Sequence, residues 1–370
     1  MKWSIAILVG LILLLWALLL SPSVQTWLTN QITSRLAKDL NTIVHVDGVD
    51  LNFFEGAVIE GLYIEDQQGD TLLYAPKATA GGLSLFSGDP LYLGDITVER
   101  PRIFIQKNII DSSLNIQFLI DAFTPVPDTL DTTHTHVVAG KIELIDAYLL
   151  YRDHNSERIE DRIDWGYLEL SHLDISTNNL DIYGDTITCD IDNIKLQDHS
   201  GFSVDQFVGK LRFDPEFIIM DETNLETGDS EIHGRIAFKY KDIKDFSDFS
   251  NKVKMNHQLE DSHLRLEDLS WFTKEFVGLD REVDLSGSVS GRLSHLKCKD
   301  LDITIDDHTR FQGDVTLDGL PSIDQTFITL DINRLTSNKA ELDYIPIPPF
   351  NTGRTINTPE TFAERGEMSF

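Results

Sequence analysis

The chain has 370 residues, with 61 Asp and Glu against 31 Lys and Arg, so its formal net charge is −30. Such an acidic chain repels phosphate backbones, which all but excludes nucleic acid as a partner. Apolar residues make up 41% of the sequence, which is enough to build a large folded body and argues against wholesale disorder. Its two cysteines, Cys189 and Cys298, exclude a disulfide framework; either two free thiols or a single bridge remains open.

An apolar run of 18 residues, Trp3 to Leu20, opens the chain, and its only polar member is Ser4. This length spans the hydrocarbon core of a bilayer, so residues 1–22 are predicted to form a transmembrane signal anchor. The candidate anchor residues are Trp3, Ile5, Leu11, Leu15, Trp16 and Leu20. A cleaved signal peptide is the alternative, but the run is long for one and no A-x-A site follows it. The short amino-terminal tail and the acidic body predict a single-pass protein whose bulk is exported.

Residues 23–41 have a helical period. Apolar side chains recur at three- and four-residue spacings, at Val24, Trp27, Leu28, Ile32, Leu36 and Leu40. We expect an amphipathic helix here. It either lies at the membrane surface or at the end of a sheet, or it packs on the following domain.

The rest of the sequence is typical of a turn-rich, mainly β protein, since Asp outnumbers Glu by 41 to 20 and favours turns. Ile187, Cys189 and Ile191 alternate with polar residues, which predicts a strand with one apolar and one wet face. Further alternating sets are Leu168 and Leu170; Ile232, Ile236 and Phe238; Val283, Leu285 and Val289; Leu301, Ile303 and Ile305; Val315 and Leu317; and Ile328, Leu330 and Ile332. Between these sets, residues 242–279 lack sustained alternation, and Leu266–Leu279 is a candidate helix.

Composition also divides the body into segments. We expect a β region at 42–123, a polar linker or loop at 124–139 and a β-rich body at 140–350, and the start of a further segment, cut short, at 351–370. No repeat of fixed period is evident, but Gly140–Asp153 loosely resembles Gly94–Asn108. Each of these stretches reads as a strand, a break and a second strand; two unrelated hairpins are the alternative.

Motifs for chemistry are missing from the sequence. It contains no phosphate-binding glycine loop, no H-E-x-x-H and no G-x-S-x-G. His134 and His136 are a conceivable metal pair, with Asp128 and Asp131 nearby, but solvated side chains are the simpler interpretation. We therefore expect no catalytic residue, metal or cofactor.

Two stretches resemble the opening of the AsmA-like and TamB families, whose members begin with a membrane span and a helix. In Ile43–Asp66 and the turn that follows, the matching positions are Gly56, Gly61, Leu62, Ile64, Asp66 and Gly69. In Pro90–Asn108 they are Pro101, Arg102, Ile103 and Ile105. The resemblance covers roughly the first 150 residues, and Thr352–Gly366 is similar to the place where such chains continue into a repetitive middle.

The resemblance implies an inner-membrane anchor, a periplasmic body and an elongated, curled antiparallel-type sheet that forms an apolar-lined groove. It also implies phospholipid as cargo or a role in outer-membrane protein assembly, with an outer-membrane barrel as partner. The candidate groove-lining residues are Leu168, Leu170, Ile187, Ile191, Leu196, Leu285, Val289, Ile303, Ile305, Leu317 and Leu330. Tandem β-sandwiches fit the same alternation, so an anchored adhesin or binding module, and an anchored hydrolase, remain alternatives.

Overall fold

The structure is a computed structural model. It describes residues 33–34, 37–38, 40–52, 56–81, 90–109, 113–119, 136–306, 309–322, 325–345, 353–361 and 368–369. The predicted anchor at 1–22 and most of the predicted helix at 23–41 lie outside these ranges. Within the ranges, no helix combines the length and the apolar character needed to cross a membrane.

The protein is mainly β, as predicted, and its residues fall into two compact units. The first unit holds the described residues up to Arg158, together with Asp164–Gly184 and Leu196–His199. The second holds Ile159–Ile163, Asp185–Lys195 and the described residues from Ser200 onward.

The first unit contains a mixed sheet. Its strands are β1 (Val44–His45), β2 (Gly48–Asn52), β3 (Gly56–Glu65), β4 (Thr71–Ala80), β5 (Leu91–Leu93), β6 (Ile96–Glu99), β7 (Arg102–Lys107), β8 (His136–Ala139), β9 (Ile142–Asp153) and β10 (Tyr167–Tyr183). β3 pairs with β1, β2 and β4, and β4 pairs with β6 and β7, all antiparallel. β8 and β9 both pair antiparallel with β10 but parallel with β5, β6 and β7, so the sheet of this unit is mixed where an antiparallel-type sheet was predicted.

The two loosely similar stretches are neighbours in this sheet, and neither is a hairpin. Ile96 lies opposite Ile142 and Ile103 opposite Leu149, a constant offset of 46 residues. The break in each stretch is a residue of positive φ, Arg100 in one and Asp146 in the other, also 46 apart. Parallel pairing in register explains why the two stretches share a pattern, since matching residues face the same side of the sheet.

Asp66, one of the family-like positions, holds a turn together. Its buried carboxylate accepts hydrogen bonds from the backbone N–H groups of Gln68 and Asp70, both at 2.9 Å, and from the side-chain amide of Asn115 at 3.0 Å. Asn115 in turn accepts the N–H of Gln106 at 2.8 Å. The carboxylate therefore ties the turn before β4 to the segment after β7, which gives it a structural role.

The second unit is an antiparallel meander. Its strands are β11 (Thr186–Asp198, of which the last three residues belong to the first unit), β12 (Ser203–Val204), β13 (Gln206–Phe213), β14 (Phe217–Thr227), β15 (Ser230–Lys239), β16 (Lys254–Arg265), β17 (Glu282–Arg292), β18 (His295–Ile305), β19 (Thr309–Asp318), β20 (Phe327–Ser337) and β21 (Met368–Ser369). β11 pairs with β13, and each later strand pairs with the next one along the chain. The helices are α1 (Phe249–Lys252), α2 (Lys339–Tyr344) and three short 3₁₀ helices, Ile243–Asp248, Leu266–Trp271 and Lys274–Phe276. The candidate helix at Leu266–Leu279 is therefore two 3₁₀ turns.

β-Bulges interrupt alternate strands of the meander. Register shifts occur in β14, β16 and β18, where Glu222, Asp261 and Asp300 have φ values of 53°, 40° and 51°. On the strands that follow β14 and β18, Gly234 and Gly313 lie opposite these irregularities. A bulge inserts an extra residue and increases the local twist of a sheet. The bulges in β14, β16 and β18 therefore bend every second strand of the meander.

Candidate functional site

One face of the meander is apolar across nine strands, and we call it the apolar face. Cross-strand register assigns its members, because residues directly opposite in an antiparallel pair point to the same side. They are Ile187, Cys189, Ile191, Phe207, Leu211, Phe213, Ile218, Met220, Leu225, Ile232, Ile236, Phe238, Met255, Leu259, Leu264, Val283, Leu285, Val289, Leu296, Cys298, Leu301, Ile303, Ile305, Phe311, Val315, Leu317, Ile328, Leu330, Ile332 and Leu335.

The opposite face, which we call the wet face, is polar and ionic. Asp284 lies opposite Thr304, and Ser290 opposite Lys297. Arg310 donates to Asp302 through Nε at 2.9 Å, and this hydrogen bond is the main cause that lowers the pKa of Asp302. A sheet with one apolar and one ionic face presents the two sides to different surroundings.

Eight of the eleven candidate lining residues lie together on the apolar face. These are Ile187, Ile191, Leu285, Val289, Ile303, Ile305, Leu317 and Leu330. Leu168 and Leu170 belong to the first unit, where they lie opposite Tyr151 and Leu149 on one side of its sheet. Leu196 lies on β11 beyond its paired residues 187–191, so register does not assign it to either face.

Sequence reasoning missed the part of the apolar face on β13, β14 and β16. At each bulge the apolar neighbours on the face are five positions apart, from Met220 to Leu225 and from Leu259 to Leu264. Strict alternation demands an even spacing, so the extra residue hides the strand. On β18 the bulge at Asp300 separates Cys298 from Leu301, and only the set Leu301, Ile303 and Ile305 was recognised from the sequence.

No second sheet covers the apolar face in the described part of the second unit, where strands make their main contacts with the strands they pair with. Most members of the face are half-buried, although Ile191 is only 6% exposed. Exposure rises at β20, where Leu330 is 54% and Ile332 44% exposed. A sandwich core would bury these side chains against a facing sheet about 10 Å away.

Two segments cover the ends of the strands. At one end, Phe246 and Phe249 pack on Phe238 of β15, with ring centroids 6.1 and 5.9 Å from it. At the other end, the 3₁₀ segments and α2 enclose a cavity of about 180 Å³, whose lining includes Leu266, Phe276, Leu279, Ile305 and Ile345. The apolar face is thus closed near both ends and uncovered between them, as far as the described residues extend.

The titratable groups on the apolar face are held neutral by burial. Burial lowers the pKa of His257 to about 4, and its Nδ1 accepts the backbone N–H of Ala237 at 3.2 Å. Burial also raises the pKa of Cys189 and of Cys298, which are both free thiols. Protonated thiols are poor nucleophiles, so neither cysteine is prepared for covalent chemistry.

Metal ligands do not converge among the residues that the structure describes: no group of three His, Cys, Asp or Glu side chains has the geometry of a site. His136 lies on β8, at the end of the predicted linker, and its Nε2 is 3.1 Å from the Oδ1 of Asp181. Its proposed metal partners His134, Asp128 and Asp131 lie outside the described residues.

Comparison of the sequence with protein-family models and with curated proteins gives no match. The apolar face and the charges around it are the features of the protein that bear on its function.

Proposed function

We propose that the protein is an inner-membrane-anchored periplasmic scaffold for outer-membrane biogenesis, which shields phospholipid acyl chains on its apolar face and conducts them along the sheet. The observation that carries the proposal is the cross-strand register: it aligns thirty apolar side chains on one side of nine consecutive strands, with no sheet packed over them in the described residues.

The dimensions of the face suit a lipid. Nine strands at about 4.8 Å each give a path of about 40 Å along the sheet. One leaflet of a bilayer core is about 15 Å thick, so an acyl chain fits on the face with room to move. Each buried CH₂ group contributes about 0.8 kcal/mol, which is enough to keep a chain out of water.

The apolar face repeats from one strand pair to the next, and this repetition would let an acyl chain move along it. An acyl chain that moves from the β15–β16 pair to the β17–β18 pair exchanges contacts with Ile, Leu and Val for contacts of the same kind. The free energy changes little between positions, because the hydrophobic effect is non-directional and proportional to area. Direction then comes from the membranes or partners at each end, among which we propose an outer-membrane barrel.

An anchored adhesin or binding module built from β-sandwiches is the second candidate. It requires the apolar residues to form closed cores. The exposed side chains Leu330 and Ile332 and the uncovered middle of the meander favour the lipid scaffold.

The test is a charge placed on one face at a time. Ile303→Arg adds a cation to the apolar face, where a charge without a partner costs several kcal/mol and repels acyl chains. Thr304→Arg adds the same side chain at the next residue, on the wet face. We expect phospholipid that co-purifies with the full chain to be lost in Ile303→Arg and retained in Thr304→Arg, with circular dichroism showing both folded. Equal lipid content in the two folded variants would contradict the proposal.

A further inference from the structure

A row of cations crosses the wet face at the end of the strands covered by α1. Lys239 of β15 lies directly opposite Lys254 of β16. Arg292 follows Gly291, the partner of Met255, so it lies beside Lys254 on the next strand. Like charges directly opposite one another destabilise a sheet, so the row is unfavourable in the isolated protein.

These cations are not neutralised by carboxylates. In the described chain, Lys239, Lys254 and Arg292 form no ion pair, although the ammonium of Lys239 lies 4.7 Å from the centre of the Phe217 ring. Lys297 and Lys299 extend the patch along β18, opposite Ser290 and Ser288, and likewise form no ion pair in this part of the structure.

The adjoining loop adds more positive charge and an exposed apolar side chain. Segment 239–254 contains five lysines and three aspartates, and segment 291–299 contains three basic residues and no acid, so the two carry a net charge of +5 in a chain of −30. Ile243 is 53% exposed and lies between Lys241 and Lys244. Asp242 and Asp245 accept backbone N–H groups of the same loop, and Asp245 also pairs with Lys252, whose Nζ lies 3.9 Å from its Oδ1.

We infer that this end of the sheet, which we call the cationic end, docks on a bilayer that contains anionic phospholipid. Clustered Lys and Arg side chains are attracted to anionic headgroups, and an exposed aliphatic side chain among them inserts at the interface. The anion density of a membrane also relieves the repulsion within the row. An acidic peptide would also relieve this repulsion, but it offers no apolar phase for the exposed side chain of Ile243. The cations and Ile243 together therefore favour a membrane as the partner.

The inference does not depend on lipid transport along the apolar face. A membrane contact at the cationic end would serve any anchored scaffold, and its failure would leave the lipid content of the Ile303→Arg and Thr304→Arg variants unaffected. If both proposals hold, the cationic end is where the apolar face meets a bilayer.

The experiment places the full chain in nanodiscs of phosphatidylcholine, so that the apolar amino terminus is occupied, and measures binding of separate vesicles. We expect binding to vesicles that contain phosphatidylglycerol, weak binding to phosphatidylcholine alone, and loss of binding at high salt. The triple variant Lys239→Glu, Lys254→Glu, Arg292→Glu should lower vesicle binding at least about tenfold. The milder Lys239→Gln, Lys254→Gln, Arg292→Gln variant should give a smaller loss.

A matched control makes the same change of charge elsewhere in the second unit. Lys195, Lys274 and Arg334 are exposed and have no carboxylate partner in the described residues, so Lys195→Glu, Lys274→Glu, Arg334→Glu should keep binding. Equal loss in the control, equal binding to neutral vesicles, or binding of polyglutamate in place of the vesicles would overturn the inference.

Discussion

His257 illustrates how the apolar face treats a polar side chain. It lies opposite Val289 on the face, and its ring centroid is 5.1 Å from that of Phe238. Burial disfavours the charged form, which lowers the pKa from its ordinary 6.5 to about 4. The side chain is therefore neutral at physiological pH and compatible with apolar neighbours.

This lowered pKa predicts a loss of stability in acid. Above pH 6.5, His257 is neutral in both the folded and the unfolded state. As the pH falls from 6.5 to about 4, the unfolded chain binds a proton that the folded chain refuses, so the free energy of unfolding decreases across this window. The loss amounts to at most about 3 kcal/mol. We expect the free energy of unfolding of wild type minus that of His257→Leu to decrease by up to about 3 kcal/mol between pH 7 and pH 4, measured by urea unfolding.

His263 provides the control of opposite sign. Asp284 accepts a hydrogen bond from its ring at 2.7 Å, and this raises the pKa of His263. Its stabilising effect is complete below pH 6.5 and is lost as the pH rises through the raised pKa. The stability difference between wild type and His263→Ala should therefore shrink in alkali. As the pH rises, the stability of wild type relative to the variant should therefore increase for His257→Leu and decrease for His263→Ala. A change of the same sign in both would show that the assigned causes are wrong.

At the scale of elements, the bulges decide how the strands bend. At Gly234 the φ is 128°, and an added Cβ would lie 2.0 Å from the carbonyl oxygen of Gln258. At Gly313 the same atom would lie 2.1 Å from the carbonyl oxygen of Asp331. Backbone cannot yield at such distances, so these two positions accept only glycine while the register is kept.

Alanine substitution at three glycines of the meander should lower the free energy of unfolding by graded amounts. Gly234→Ala and Gly313→Ala should each lower the free energy of unfolding by about 2–4 kcal/mol, since strained φ and a backbone clash add. Gly209→Ala should cost less, because its φ is ordinary and its nearest contact would be 3.2 Å. Denaturant unfolding of the three variants checks the order. A loss in Gly209→Ala as large as in the other two would show that the bend does not depend on the backbone at these positions.

The strands were predictable from the sequence where apolar and polar residues alternate regularly, as in β17 from Val283 to Val289. A strand was not predictable where a bulge breaks the two-residue period, and β16 was not recognised for that reason. Pairing partners were also beyond local pattern: the resemblance between Gly94–Asn108 and Gly140–Asp153 was visible, but their parallel contact across 46 residues is a long-range arrangement. Of the candidate site, register brings eight of the eleven predicted lining residues to one face, but the members on β13, β14 and β16 were missed. The absence of a covering sheet in the described residues was not predictable either, since a sandwich has the same alternation.

At the scale of the whole molecule, charge and apolar surface are separated. The chain as a whole is acidic, with a net charge of −30, and such a charge favours solubility. Eight basic residues nevertheless lie in segments 239–254 and 291–299. Apolar side chains occupy the face opposite the ionic pairs of the meander. An uncovered apolar face and a cluster of like charges both cost stability in water, and a lipid with an apolar chain and an anionic head is the partner that our proposals predict for them.

The most direct measurement is site-specific photocrosslinking in living cells. A benzoylphenylalanine probe replaces Leu285 or Leu317 on the apolar face of the full chain, and Asp284 or Thr316 as their wet-face neighbours. The account predicts phospholipid adducts, detected by mass spectrometry, at Leu285 and Leu317 and none at the two neighbours. Adducts that are absent from all four positions, or equally abundant at all four, would contradict a lipid-carrying apolar face.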